Sequence, residues 1–80
     1  MNVKYADRYN KIGRNIAYYR NKTGLSQQQL SDMVNISKSY LSKIEAPKSE
    51  KSCSLEVLFD ISSALDIDIS ALFNEPKEEE

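Results

Sequence analysis

The stretch from Ser26 to Glu45 constrains this chain more than any other feature. Leu30 and Val34 lie four residues apart, and Leu41 and Ile44 lie three apart. Those intervals place each pair on one face of a helix. No stretch alternates in steps of two, as a half-buried strand would. Ser26 and Gln29 form an S-x-x-Q capping box, in which the serine accepts from free amides and the glutamine reaches back. Ser37 can cap the next helix, which ends near Glu45 with Pro47 just beyond. About three residues separate the two helices, and one of them is Asn35, a residue that tolerates the left-handed conformation of a tight turn. Helices joined so closely cross steeply. Each must offer apolar contacts, and the crossing needs a small side chain, for which Ser31 is placed.

The rest of the chain supplies helices to pack against this pair. The first spans about Asp7 to Thr23, with Ile12, Ile16 and Tyr19 on one stripe and Gly24 as its stop. Ser52 or Ser54 can cap a fourth helix, with Leu55, Leu58, Ile61 and Leu65 inward. Asp68 can cap a short fifth, from which Leu72 and Phe73 return to the core or to a partner. The expected fold is therefore all-α, a compact five-helix domain over residues 7–74. Residues 1–6 form an N-terminal arm or helix extension, and residues 75–80 an acidic, disordered tail. Eighty residues hold one core and no second one.

Several chemistries find little support. Cys53 is the single cysteine and there is no histidine, which removes an internal disulfide, the ordinary zinc sets and the commonest general base. The two glycines, Gly13 and Gly24, make no phosphate-cradling loop. Enzyme activity, a cofactor and a metal are not expected. No apolar run is long enough for a bilayer, and the N-terminus lacks a signal peptide's apolar core, so the expected location is cytoplasmic.

The net charge of −1 hides a division. Residues 1–51 hold ten basic groups against four acidic ones, a surplus of +6, and residues 52–80 hold one against eight, a deficit of −7. A polyanion responds to local potential, so the basic part can face phosphates while the acidic part faces away. On a helical wheel Lys38, Ser39, Ser42 and Lys43 share an arc of roughly 140°, opposite Leu41 and Ile44. Lysine can donate to guanine O6 and N7, and serine can act in either sense with several bases. Ser37 can combine capping with a backbone contact. Tyr40 lies between the two arcs, suited either to packing or to a phosphate or thymine methyl. Lys48, and Lys51 after it, are candidate phosphate contacts in the loop 46–52.

The segment from Ser26 to Glu45 has the form of a helix-turn-helix. At I-G-R-N-I-A-Y-Y-R-N-K-T-G-L-S-Q-Q-Q-L-S-D-M-V-N-I-S-K-S-Y-L-S-K-I-E and S-L-E-V-L-F-D-I-S-S-A-L-D-I-D-I-S-A-L-F the chain resembles the Xre/Cro-type, lambda-repressor-like regulators. The likeness covers roughly Ile12 to Phe73, and S-K-S-Y-L-S-K-I-E looks especially like the family's biofilm repressors. Ser31 stands where alanine is usual and Asn35 where glycine is usual; both keep the small or turn-tolerant character. The resemblance implies that Gln27, with amides near Ser26, faces a phosphate. It implies that the helix from Ser37 enters the major groove of double-stranded DNA. It also implies an ion pair between Arg20 and Glu45 that orients this helix. The expected function is a repressor acting as a homodimer on a palindromic operator. Phe59, Ile69, Leu72, Phe73 or Tyr18 are candidates for its dimer surface. The alternative is an antitoxin or adaptor with a protein partner, a toxin or an antirepressor.

Overall fold

The computed structural model describes residues 3–46 and 53–76. Among them are four α-helices: α1 (Ala6–Thr23), α2 (Gln27–Met33), α3 (Lys38–Glu45) and α4 (Leu55–Ala64). Two 3-10 segments, Val3–Tyr5 and Ile69–Phe73, flank them, and no strand occurs among the described residues. None of these helices is long and apolar enough to cross a membrane.

The boundaries follow from local chemistry. Val3–Tyr5 runs directly into α1. Gly24 ends α1 at φ 86°, a conformation that costs glycine little. The capping box of α2 is complete. The Gln29 amide donates to Ser26 Oγ at 3.0 Å, and the Ser26 amide donates to Gln29 Oε1 at 2.8 Å. Asn35 takes φ 61° and the Ile36 amide donates to the Ser31 carbonyl at 3.0 Å, which turns the chain from α2 to α3. Ser37 and Ser54 cap α3 and α4 by accepting from the amides of Tyr40 and Val57.

The last segment takes a tighter form than an α-helix. Asp68 does cap Ile69–Phe73, accepting from the Ser70 amide at 2.9 Å, but the segment is a 3-10 turn. A 3-10 turn stacks positions three apart. It therefore brings Ile69 and Leu72 to the same side, and both pack in or against the core. Asn74 then leaves in extended conformation.

Ile16, Leu30, Val34, Leu41, Ile44, Leu58, Ile61, Leu65 and Leu72 form the core, so every α-helix and the last 3-10 turn contribute. Ser31 is fully buried at the α2–α3 crossing, its hydroxyl donating to the Gln28 carbonyl at 3.0 Å. Two further contacts fix α1. A Cβ at Gly13 would fall on the Ile44 carbonyl oxygen, so glycine lets α1 and α3 touch backbone to backbone. The buried Asn15 amide donates to the carbonyls of Leu72 (2.9 Å) and Asn74 (3.0 Å), tying the end of the fold to the middle of α1.

Candidate nucleic-acid interface

The α2–α3 turn and the buried Leu41 and Ile44 fix which side of α3 looks outward. Lys38, Ser39, Ser42 and Lys43 are all exposed on that side. Ser37 is exposed as well, although its hydroxyl is engaged by the Tyr40 amide. The one acid of α3, Glu45, is buried. The outer face of α3 thus presents two ammonium groups and two hydroxyls, and the helix itself has no second carboxylate.

Glu45 is turned inward by three donors. Arg20 Nε donates to its Oε2 at 2.8 Å, and Arg20 Nη2 donates to its Oε1 at 2.9 Å. Gln27 Nε2 donates to the same Oε1 at 2.9 Å. The side chains of Arg20 and Glu45 are only 12% and 4% exposed, so the pair is largely out of water. Such a pair persists when its hydrogen-bonding capacity is filled, and here a bidentate guanidinium supplies most of it. Arg20 Nη1 also donates to the Leu25 carbonyl at 2.8 Å. One guanidinium therefore links α1, the connection before α2 and the last residue of α3.

Gln27 thus has a partner that the chain's local pattern does not suggest. Its amide reaches across to Glu45, eighteen residues away in sequence. Tyr40 is half-buried and packs against the core cluster. Burial raises its phenol pKa, the neighbouring Cys53 raises it further, and a backbone hydrogen bond with Ser54 offsets part of this. The ring therefore sits where α3 meets the approach to α4. Burial likewise raises the Cys53 thiol, which leaves less thiolate at neutral pH than a free cysteine would carry. Lys48, with Lys51, lies outside the described residues. No group of three or more potential metal ligands occurs among the described residues.

Sequence reasoning missed Gly13, Asn15 and the Glu45 contact of Gln27. For Asn15 one signal existed, a polar residue beside Ile16 on the inner stripe of α1. Gly13 in mid-helix was a second, since glycine there costs stability unless something else requires it.

Comparison with known proteins agrees with this geometry. The helix-turn-helix family matches residues 16–72. SinR of Bacillus licheniformis, an HTH-type transcriptional regulator, is 36% identical over 69 residues, which are 86% of this chain and 61% of SinR. The chain thus spans under two thirds of that relative's length. The crystal structure of the restriction-modification controller protein C.AhdI from Aeromonas hydrophila aligns with a TM-score of 0.76 at 32% identity, covering 86% of this chain and all of that one. SinR has been solved in complex with DNA (TM-score 0.71, 33% identity, 79% and 98% of the two chains). It has also been solved in complex with SinI (TM-score 0.72, 34% identity, 80% and 61%). A family match over this much of the chain, on a fold with these buried contacts, shows that it belongs to the helix-turn-helix family of Xre/Cro-type transcriptional regulators.

Proposed function

We propose that this chain binds double-stranded DNA sequence-specifically and regulates transcription as a repressor. In this reading α3 enters the major groove. Lys38, Ser39, Ser42 and Lys43 meet base edges there, while Ser37, Gln27, Tyr40 and Lys48 lie toward the backbone. The observation that carries the reading is the acid-free outer face of α3, held in place by the Arg20–Glu45–Gln27 network. Similarity to SinR, which has been crystallised on DNA, supports it.

The binding unit is residues 7–74, with residues 1–6 as an N-terminal arm or helix extension and residues 75–80 as an acidic tail. The Ile69–Phe73 turn takes the place of a fifth helix in a lambda-repressor-like domain. One recognition helix contacts too few base pairs for a selective site. The functional form is therefore a cytoplasmic homodimer on a palindromic operator. Similarity to SinR, solved with SinI, also favours a protein partner that controls this chain. That partner would co-purify with it from its own cell at a fixed stoichiometry.

Selection from a random duplex pool at near-physiological salt tests the DNA reading. It should return a twofold motif whose half-sites lie about one helical turn apart. Recovery of sequence-independent, salt-sensitive binding alone would refute sequence reading.

A further inference from the structure

Five large apolar side chains are prominently exposed among the described residues: Tyr5, Met33, Leu55, Phe59 and Phe73. Four of them fall into two patches of opposite charge. The first is a groove between α1 and the last 3-10 turn, lined by Tyr5, Arg8, Tyr9, Lys11, Ile12 and Phe73. Its floor is aromatic and aliphatic; on its rim Arg8 is cationic, while Lys11 lies 3.9 Å from the Glu75 carboxylate of the same chain. The Arg8 guanidinium lies 4.9 Å from the centre of the Tyr5 ring, which holds the charge at the groove's edge. Asp7, the one acid of α1, is not part of the lining. The second patch is the outer face of α4. Leu55 and Phe59, 56% and 50% exposed, lie one turn apart on it, with Glu56 and Asp60 on the adjoining arc. α4 carries those two acids and no base.

Exposed aromatic and aliphatic groups grouped in this way mark contact surfaces. Each patch offers what the other lacks: a groove with a positive rim, and an apolar ridge with a negative flank. We propose that the occupant of the α1 groove is α4 of a second copy of this chain, with Phe59 and Leu55 seated against Tyr5 and Phe73, and Glu56 and Asp60 facing Arg8. A twofold axis makes this contact twice, which closes the pair and leaves neither patch in water. The inference rests on the homodimer reading above and names its surface.

Sedimentation equilibrium of the full chain from micromolar to millimolar concentration tests it. Wild type should form a dimer and grow no further. Arg8→Glu, or Glu56→Lys/Asp60→Lys, should each raise the dissociation constant about tenfold or more, because like charges then oppose. The chain carrying all three substitutions should regain wild-type dimerisation. Circular dichroism shows that each variant is folded, and Phe59→Ser supplies a variant that weakens the dimer without changing charge. A dimer indifferent to the reversals, or one that the combined swap fails to restore, would overturn this pairing and leave the dimer reading standing. A wild-type chain that stays monomeric would overturn both, and a mass that keeps growing would overturn the twofold closure.

Discussion

Replacing Arg20 with alanine should be among the most damaging single changes in this chain. Arg20 donates twice to Glu45 and once to the Leu25 carbonyl, at 2.8–2.9 Å. Its removal leaves a carboxylate that is 4% exposed with Gln27 as its remaining partner shown. Breaking a buried pair from one side costs about 3–5 kcal/mol, mostly for the charge left behind. A domain of this size has a total stability of about 4–12 kcal/mol. The variant should therefore lose at least a quarter of its stability and melt at least about 10 °C lower. Denaturation followed by far-UV circular dichroism measures this. Arg20→Met/Glu45→Leu removes both charges together and should recover much of the loss, because an apolar pair of similar size replaces a buried ion pair at little cost. The two single changes should thus be strongly non-additive. If Arg20→Ala stayed within about 1 kcal/mol of wild type, the pair would be behaving as an ordinary exposed salt bridge and the argument would fail.

Other outcomes follow from the same contacts. Gly13→Ala should destabilise by about 1–3 kcal/mol despite alanine's higher helix propensity, because its Cβ meets the Ile44 carbonyl oxygen and a backbone must move; a variant as stable as wild type would show that α1 and α3 separate easily. Asp68 has its carboxyl pKa lowered by the hydrogen bond from the Ser70 amide, so its capping contribution is present above the usual carboxylate pKa and is lost as pH falls through the lowered value. The Ser70 amide proton resonance should therefore move in acid, below about pH 4, and should not do so in Asp68→Asn.

Much of this fold was legible because short-range rules wrote it. Ser26 with Gln29, Ser37, Ser54, Gly24 and Asn35 each act through atoms a few residues away, and each sits in the structure as its chemistry requires. The outer face of α3 was legible for the same reason, since the helical repeat places the arc holding Lys38, Ser39, Ser42 and Lys43 opposite the pair Leu41 and Ile44. What was hidden depends on separation along the chain. Asn15 meets carbonyls nearly sixty residues away, and Gln27 meets Glu45 across the α2–α3 crossing. Gly13 is explained by the backbone of α3 and by nothing beside it in α1. The type of the last short helix was not legible, because Asp68 caps an α-helix and a 3-10 turn alike. Its length and the need to bring Ile69 and Leu72 to one side favoured the tighter turn.

The most direct test of the account is the affinity of Lys38→Ala and Lys43→Ala for the operator duplex recovered by selection, measured against a scrambled duplex at several salt concentrations. Each variant should keep the wild-type fold and lose about 1–3 kcal/mol of specific binding, with most of the loss absent on the scrambled duplex. Folded variants that bind the operator as tightly and as selectively as wild type would show that α3 does not read the DNA, contradicting the central claim.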